Sequence, residues 1–198
     1  MSTMTGSRLD RRDAVQKLTE ANKDALVVTG LGSPSYDVHA TGDRDHHYYL
    51  WGAMGSAALV GLGIAQARPD KRVMVITGDG EQLMAFGSLA TIAVAKPMNL
   101  DVIVLDNEHF GETGMQSSHT GLGINLSSVA SACGFSATRV IRTLEGIDCL
   151  CEQLPQKADG PRLFVLKIKA GNVPRSLPPR DAVFVKNRFR ATIGLAPC

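Results

Sequence analysis

The alternation of short apolar runs with longer helical patterns constrains the fold of this chain more than any other feature. The apolar runs have the composition of strands covered on both faces, and they are residues 25–29, 72–77, 100–105, 137–141 and 163–168. The segments with apolar residues at helical spacing are 10–22, 53–68, 82–95, 126–133 and 144–157. This alternation predicts an α/β fold, in which a doubly wound, mainly parallel sheet of about six strands has helices on both faces.

Composition excludes several other classes of protein. The 198 residues, 44% of them hydrophobic and 20% charged, are enough to bury one sizeable core. The formal charge of +2 and the lack of a basic stripe with interleaved aromatic residues argue against nucleic acid as a partner. Residues 1–12 hold no apolar stretch of signal-sequence length, and no later run approaches the roughly 20 apolar residues of a membrane span. We therefore expect no membrane association and a cytoplasmic location.

The cysteine spacing fits neither a zinc site nor an iron–sulfur cluster. We expect Cys133, Cys149 and Cys151 to be reduced thiols on helices and Cys198 to be a reduced thiol on the C-terminal tail. The spacing alone leaves a disulfide open.

Two polar side chains follow successive predicted strands. Asp79, within a Gly-Asp-Gly tripeptide, closes the run 72–77, and the pair Asp106-Asn107 closes the run 100–105, with 28 positions from Asp79 to Asn107. If the two strands are neighbours, the carboxylate and the amide lie roughly 5 Å apart and can share one small cation. Magnesium fits, because it prefers oxygen ligands and phosphates. The tripeptide alone is also typical of a tight strand-to-helix turn with a capping Asp.

A helix that starts after this turn offers an anion site. The backbone N–H groups of Gly80 and Glu81 begin the helix, and free N–H groups at a helix start favour phosphate. Ligands in such sheets bind beyond the carboxyl ends of the strands, where the glycine-rich segments 29–33, 78–80 and 107–123 fall. The last segment is long and polar, so we expect it to order over a bound ligand.

Three motifs together resemble the diphosphate-binding domain of thiamine diphosphate-dependent enzymes. They are WGAMGS at residues 51–56, GDG at residues 78–80 and DNEHFG at residues 106–111. The resemblance extends over about residues 25–169, and it implies the thiamine diphosphate-binding fold with thiamine diphosphate and Mg²⁺ as cofactors. We expect residues 1–171 to form the half-site for diphosphate and magnesium, and residues 172–198 to form a C-terminal tail.

The resemblance implies a role for each matching residue. Asp79, the Asn107 side chain and the backbone carbonyl of His109 would bind Mg²⁺, whose shell two diphosphate oxygens would complete. The Gly52 carbonyl would accept from the pyrimidine 4′-amino group, and Met54 would sit under the bend between the two rings. The full implied cofactor-binding set is Gly32, Ser33, Gly52, Met54, Gly78, Asp79, Gly80, Glu81, Asn107, His109, Phe110 and Gly111.

The sequence departs from the family pattern at two positions. Asp106 stands where the family usually has Asn, but the second position of the pair binds the metal, so binding should survive. Glu81 replaces the small residue often found after GDG. Its charge suits a helix start but would repel phosphate, so we expect its side chain to turn away from the phosphate.

The resemblance also implies a second subunit. Thiamine enzymes need a glutamate from a pyrimidine-binding domain to activate the cofactor, and we expect no second domain in 198 residues. No catalytic residue is therefore expected in this chain itself. We expect a pyrimidine-domain (α) subunit, a site between unlike subunits, no activity in the isolated chain, and a dimer or an α2β2-type assembly.

The function implied is that of the magnesium- and thiamine diphosphate-binding subunit of a two-chain decarboxylase for a small 2-oxoacid. The arrangement, with the tail around residues 173–175 and 187–190, is similar to the sulfopyruvate and phosphonopyruvate decarboxylases. One alternative is the β subunit of a 2-oxoacid:ferredoxin oxidoreductase, whose loop resembles residues 110–116. Another is a non-catalytic module that binds a nucleotide or serves in assembly.

The roles of three histidines and of the basic tail stay open at this level. His46 and His47 precede the Gly52 motif and either reach substrate or are solvated loop residues. His119 lies in the long polar loop. The tail contacts an anionic substrate group or, as we favour, the partner subunit or solvent.

Overall fold

The main sheet is six-stranded and entirely parallel. Within residues 8–196, which the computed structural model describes, the strands are β1 (Leu26–Thr29), β2 (His47–Tyr49), β3 (Val73–Gly78), β4 (Leu100–Asp106), β5 (His109–Phe110), β6 (Gln116–Ser117), β7 (Ala137–Ile141) and β8 (Arg162–Lys167). The sheet order is β2-β1-β3-β4-β8-β7, and β5 pairs with β6 in a separate antiparallel hairpin. The chain reverses its direction of travel across the sheet between β1 and β3, which is where such sheets bind ligands.

Helices cover both faces of this sheet. They are α1 (Arg11–Ala21), α2 (Ser33–Ala40), α3 (Ala57–Ala67), α4 (Asp79–Met84), α5 (Ser88–Ala95), α6 (Leu126–Cys133), α7 (Leu144–Gln153) and α8 (Ala182–Thr192). The α1, α2 and α7 helices share one apolar core with the sheet, and α3, α5 and α6 share the other. Alternate strand residues supply the two cores, as Ile76 and Val75 do in β3.

The predicted doubly wound parallel sheet is confirmed. All five predicted strands match the observed ones to within one residue at each end. The predicted helix 126–133 is confirmed at both ends, and α1 lies one residue inside the predicted 10–22 because Asp10 caps it and Asn22 ends it. The α7 helix ends at Gln153, four residues earlier than predicted.

The prediction of one helix over 82–95 is wrong. The structure has a short α4 that begins at Asp79 and a separate α5, with a break at residues 85–87. Gly87 has low helix propensity, and the Gln82 side chain lies 3.1 Å from Ser88 Oγ across the break. The apolar pattern spans both helices because Leu83 of α4 packs against the same core as Leu89 and Ile92 of α5.

The predicted start of the second helix is also wrong. The helix begins at Ala57, not at residue 53, because Ala53 has a φ of 54° and Gly55 a φ of 96°. These left-handed conformations are incompatible with helix. The segment 51–56, which holds two of the implied cofactor residues, is therefore an irregular loop.

Elements outside the named patterns complete the fold. The sequence patterns did not predict β2 or α2. The β2 strand has only three residues, too few to show an apolar period, and α2 buries the polar side chains of Ser35 and Asp37. The tail holds α8, which packs on β2, and the ring centroid of buried Phe189 is 5.4 Å from that of Tyr48. The division of the chain at residue 171 stays a prediction.

Cys133, Cys149 and Cys151 are free thiols on α6 and α7, as predicted. Cys198 lies outside the described residues. Among the helices of residues 8–196, none combines the length and the apolar character that crossing a membrane requires.

A buried ion pair joins the amino-terminal ends of β4 and β8. Arg162 Nε is 2.5 Å and Arg162 Nη2 2.9 Å from the two oxygens of Asp101, and Nη2 also donates to the carbonyl of Leu154 at 2.8 Å. We predict that Asp101→Ala lowers the free energy of unfolding by about 3–5 kcal/mol, because it leaves a buried guanidinium without its counter-charge. Urea denaturation followed by circular dichroism measures the change.

The control is Asp70→Ala, which removes an exposed ion pair with Arg68. It should cost at most about 1 kcal/mol. Equal losses in the two variants would contradict the role given to the buried pair.

Candidate cofactor and metal site

The two polar strand ends lie side by side. The β3 and β4 strands are parallel neighbours with Gly78 opposite Leu105, so Asp79 and the Asp106-Asn107 pair follow at the same edge of the sheet. Asp79 and Asn107 line one cleft at this edge, which we call the β3–β4 cleft. Its lining includes ten of the twelve residues in the implied set: Ser33, Met54, Gly78, Asp79, Gly80, Glu81, Asn107, His109, Phe110 and Gly111.

Gly32 and Gly52 do not line the cleft directly. A side-chain carbon added at Gly32 would meet Glu112 Oε1 at 2.7 Å, so Glu112 covers this glycine from the cleft side. Gly52 has open space next to it. The roles given to individual residues by the resemblance stay predictions.

Asp79 is a buried carboxylate held by hydroxyl groups. It is 2% exposed, the Ser118 hydroxyl donates to Oδ2, and Thr120 Oγ1 lies 3.2 Å from the same oxygen. Burial raises the pKa of Asp79, the Ser118 hydrogen bond opposes this rise, and the nearby charge of Asp106 adds to it. Within residues 8–196, Asp79 forms no ion pair with a Lys, Arg or His side chain. A divalent cation at this point would supply the missing positive charge, so the residues present fit Mg²⁺.

Asp79 is not a helix cap. The capping position of α4 is Gly78, and α4 begins at Asp79 itself, one residue earlier than predicted. The alternative interpretation of the tripeptide as a turn with a capping Asp is therefore wrong. The N–H groups of Gly80 and Glu81 lie in the first turn of α4, where no intrahelical acceptor exists.

Asn107 and His109 form a tight turn after β4. The His109 N–H donates to Asn107 Oδ1 at 2.9 Å, and His109 Nδ1 lies 2.8 Å from the Asn107 carbonyl oxygen. Glu108 between them has a φ of 65°. An amide oxygen has two lone pairs, so the Asn107 side chain keeps one for a further ligand.

Among residues 8–196 there is no group of three His, Cys, Asp or Glu side chains placed to hold a metal. The implied donor set is of another kind, with one carboxylate, one amide oxygen and one backbone carbonyl. Hard cations accept such mixed oxygen ligands.

The close approach of Phe110 requires glycine at position 80. A side-chain carbon at Gly80 would lie 2.8 Å from Phe110 Cδ1, closer than carbon atoms pack. The hairpin β5–β6 therefore packs directly on the start of α4. The Ser118 and Thr120 hydroxyls also attach the glycine-rich loop to Asp79, and the sequence patterns did not identify these bonds. The expectation that the loop orders over a bound ligand stays a prediction.

Glu81 is buried at the base of the cleft. Its carboxylate accepts from the backbone N–H groups of Leu31 at 2.9 Å and Gly55 at 3.2 Å and from the Thr77 hydroxyl at 3.1 Å. Burial raises the pKa of Glu81, and these hydrogen bonds oppose the rise. The expectation that the side chain turns away from a bound phosphate stays a prediction.

Asp106 has its own cation. Lys167 Nζ lies 2.6 Å from Asp106 Oδ2 and 2.8 Å from Glu108 Oε1, and Arg8 also pairs with Glu108. A carboxylate at the position where the family usually has Asn is thus balanced locally by Lys167. No sequence pattern connected Lys167 with this pair.

The segment before α8 packs on the same chain near the cleft. Trp51 Nε1 donates to the Pro179 carbonyl at 2.7 Å, and the Arg180 guanidinium lies 5.6 Å from the Trp51 ring centre. Arg175 lies over the Tyr36 ring and 3.4 Å from Glu112 Oε2. Arg175 and Arg180 of the tail therefore contact α2 and the loop 51–56. A contact of the tail with substrate or partner stays a prediction.

The three histidines lie outside the cleft lining. His119 is exposed, with its ring centre 6.0 Å from that of Phe110. His46 is half-buried, whereas His47 is fully buried in β2, so the interpretation of His47 as a solvated loop residue is wrong. His47 Nδ1 lies 3.4 Å from the Tyr49 hydroxyl.

Comparisons with known proteins agree with the motifs. The family model described as "Thiamine pyrophosphate enzyme, C-terminal TPP binding domain" matches residues 32–166. The chain is 39% identical over 196 residues to the phosphonopyruvate decarboxylase of Streptomyces viridochromogenes, covering 98% of this chain and 48% of that protein. It is 34% identical over 181 residues to the sulfopyruvate decarboxylase subunit beta of Methanothermobacter thermautotrophicus, covering 91% of this chain and 94% of that subunit.

The chain thus spans about half the length of the first relative and nearly all of the second. Among solved structures, the benzoylformate decarboxylase of Polynucleobacter necessarius superimposes with a TM-score of 0.72 over 88% of this chain and 36% of that one. At 18% identity, this likeness establishes the fold alone.

Burial of His47 predicts acid sensitivity. Burial, with the nearby His46 and Arg44, lowers the pKa of His47 from 6.5 to about 3. At a pH between these two pKa values, His47 binds a proton in the unfolded chain but not in the folded chain. The free energy of unfolding therefore falls as the pH falls. From about pH 7 to pH 5 this single group should cost about 2 kcal/mol.

We predict that His47→Phe removes this contribution, because Phe cannot bind a proton. Denaturant unfolding of both proteins at pH 7 and pH 5 gives the measurement, and the variant should lose less stability than the wild type. Identical pH dependence in the two proteins would show that folding does not lower the pKa of His47.

Proposed function

We infer the function of this chain from its family: the chain belongs to the thiamine pyrophosphate enzymes and contains their C-terminal cofactor-binding domain. We propose that it is the thiamine diphosphate- and Mg²⁺-binding subunit of a two-chain decarboxylase for a small 2-oxoacid. The observation that carries the proposal is the placement of Asp79 and Asn107 at adjacent strand ends, in one cleft with the GDG turn and Met54.

The metal and the diphosphate would occupy the β4 side of the cleft. Asp79, Asn107 Oδ1 and the His109 carbonyl would hold Mg²⁺, and the N–H groups of Gly80 and Glu81 would donate to the diphosphate. Ser118 and Thr120 keep the Asp79 carboxylate in place by hydrogen bonds. Gly32 and Ser33 would contact the diphosphate from the β1 side.

The loop 51–56 would hold the organic part of the cofactor. The Gly52 carbonyl would accept a hydrogen bond from the pyrimidine amino group, and Met54, 37% exposed, offers an apolar side chain to support a bent cofactor. When bound, thiamine diphosphate supplies a carbon nucleophile for the keto carbon and accepts the electron pair left when CO2 departs. Release of the aldehyde then needs one proton, which takes the place of the lost carboxylate.

A partner subunit is part of the proposal. One relative covered almost completely by this chain is called a beta subunit, whereas a relative called simply phosphonopyruvate decarboxylase is about twice as long. The cleft bounded by this chain has a volume of about 110 Å³, below the roughly 300–1,000 Å³ typical of ligand pockets. Both facts support a second chain that covers the cleft and supplies the activating glutamate, in a dimer or an α2β2-type assembly.

The relatives guide the choice of substrate. The names of these relatives support sulfopyruvate or phosphonopyruvate, each a 2-oxoacid with a second anionic group. We propose a cytoplasmic location, which the free thiols of Cys133, Cys149 and Cys151 support.

The metal assignment predicts the effect of Asp79→Ala. Titration calorimetry should show that the chain binds thiamine diphosphate only with Mg²⁺. Asp79→Ala should bind thiamine diphosphate at least about a hundredfold more weakly. Loss of a residue that only supports a metal ligand already lowers metal affinity by about 10–100-fold, and Asp79 is proposed as a ligand itself.

The matched control is Asp106→Asn, which installs the family's usual residue beside Asn107 and should keep the affinity within a few-fold. Magnesium-independent binding of a nucleotide, with no loss in Asp79→Ala, would instead favour a non-catalytic module.

The substrate class predicts which oxoacids react. We expect the chain, co-expressed with a pyrimidine-domain subunit, to release CO2 from sulfopyruvate or phosphonopyruvate faster than from pyruvate. An anaerobic electron paramagnetic resonance spectrum of the same complex should show no reducible iron–sulfur cluster. A cluster signal would favour the 2-oxoacid:ferredoxin oxidoreductase alternative.

A further inference from the structure

The Glu81 carboxylate lies where three separate segments of the cleft meet. It is 3% exposed and belongs to the first turn of α4. Oε2 accepts from the Leu31 N–H at 2.9 Å, and Oε1 accepts from the Gly55 N–H at 3.2 Å. Residues 31, 55 and 81 are far apart in sequence and follow the paired strands β1, β2 and β3. Beyond the ends of these strands, this single side chain adds hydrogen bonds between the three segments.

Each of these segments holds residues of the implied cofactor set. Leu31 directly precedes Gly32 and Ser33, and Gly55 directly follows Met54. The loop 51–56 has left-handed residues at 53 and 55 and is not part of a helix or strand. The hydrogen bond from the Gly55 N–H to this buried acceptor therefore constrains where the neighbouring Met54 lies.

The local backbone is shaped around the carboxylate. A side-chain carbon at Gly30 would lie 1.7 Å from Glu81 Oε2, so this approach is possible only with glycine at position 30. The Thr77 hydroxyl, 3.1 Å from Oε2, adds a third donor from the end of β3. Hydrogen bonds to a charged acceptor are stronger than neutral ones, and several donors together offset the cost of burying the charge.

We propose that Glu81 is a positioning residue, which sets the spacing between the GDG turn, the loop after β1 and the Met54 loop. This inference rests on the proposed function, since the three segments matter together only if they hold one cofactor. It explains why an acidic side chain stands where the family often has a small one. Glu81 does not need to touch the cofactor for this role.

Amide hydrogen exchange on the full chain tests the inference without cofactor or partner. The exchange rates of the Leu31 and Gly55 amides are divided by that of the Val75 amide, which reports opening of the central sheet. In Glu81→Ala these two relative rates should be at least about tenfold higher than in the wild type. The control is Gln82→Ala, which removes an equally buried neighbour whose Nε2 bonds stay within residues 82–88. It should leave the two relative rates within about twofold.

A second variant applies if Glu81→Ala does not fold. Glu81→Gln keeps one acceptor oxygen and replaces the other with an amino group, which cannot accept. At least one of the Leu31 and Gly55 amides should then lose protection. Full protection of both amides in the variants that fold would overturn the inference.

Binding of thiamine diphosphate with Mg²⁺ separates the inference from the proposed function. We expect Glu81→Ala to weaken this binding at least about tenfold and Gln82→Ala to leave it within a few-fold. Wild-type binding that survives Glu81→Ala unchanged would overturn the inference and leave the proposed function intact. The opposite result is also informative. If Glu81→Ala loses protection at Leu31 and Gly55 but the wild-type chain never binds the cofactor, the link between the segments stands and the proposed function is overturned.

Discussion

The parallel pairing of β3 with β4 is the constraint on which the rest of the site depends. Parallel strands end at the same edge of a sheet, and the register of Gly78 with Leu105 places Asp79 and Asn107 beyond that edge together. A shift of one residue would turn every side chain of the shifted strand to the opposite face of the sheet. Because both strands are buried on both faces, their apolar packing makes such a shift costly, so the core of the protein also fixes the geometry of the proposed metal site.

Three buried carboxylates lie at or just beyond the ends of β3 and β4, and each has a different kind of partner. Asp106 pairs with Lys167, Glu81 accepts from backbone N–H groups and a threonine hydroxyl, and Asp79 is held by hydroxyl groups. Hydroxyl groups offset burial less fully than a positive charge does. Asp79 is thus the carboxylate most suited to gain from a bound cation, and it stands at the position that the family motif gives to the metal.

The site is assembled from pieces that belong to no single element. The turn after β3, the loop after β1, the segment 51–56 and the β5–β6 hairpin all face one cleft. Contacts between them come from individual side chains, such as Glu81 and Phe110, and the segment before α8 packs against Trp51 from outside. This construction leaves one side of the cleft open, where the proposed second subunit would cover it.

Sequence by itself determined the sheet, the two cores and the positions of Asp79 and Asn107, because apolar period and strand-end motifs are local properties. It did not reveal the break at residues 85–87, the helix α8 or the burial of His47, since these depend on packing against distant segments. The bonds of Ser118 and Thr120 to Asp79, and of Lys167 to Asp106, join residues far apart along the chain. Only the tertiary structure decided these partners, because a buried charge takes whichever donor the fold brings within reach.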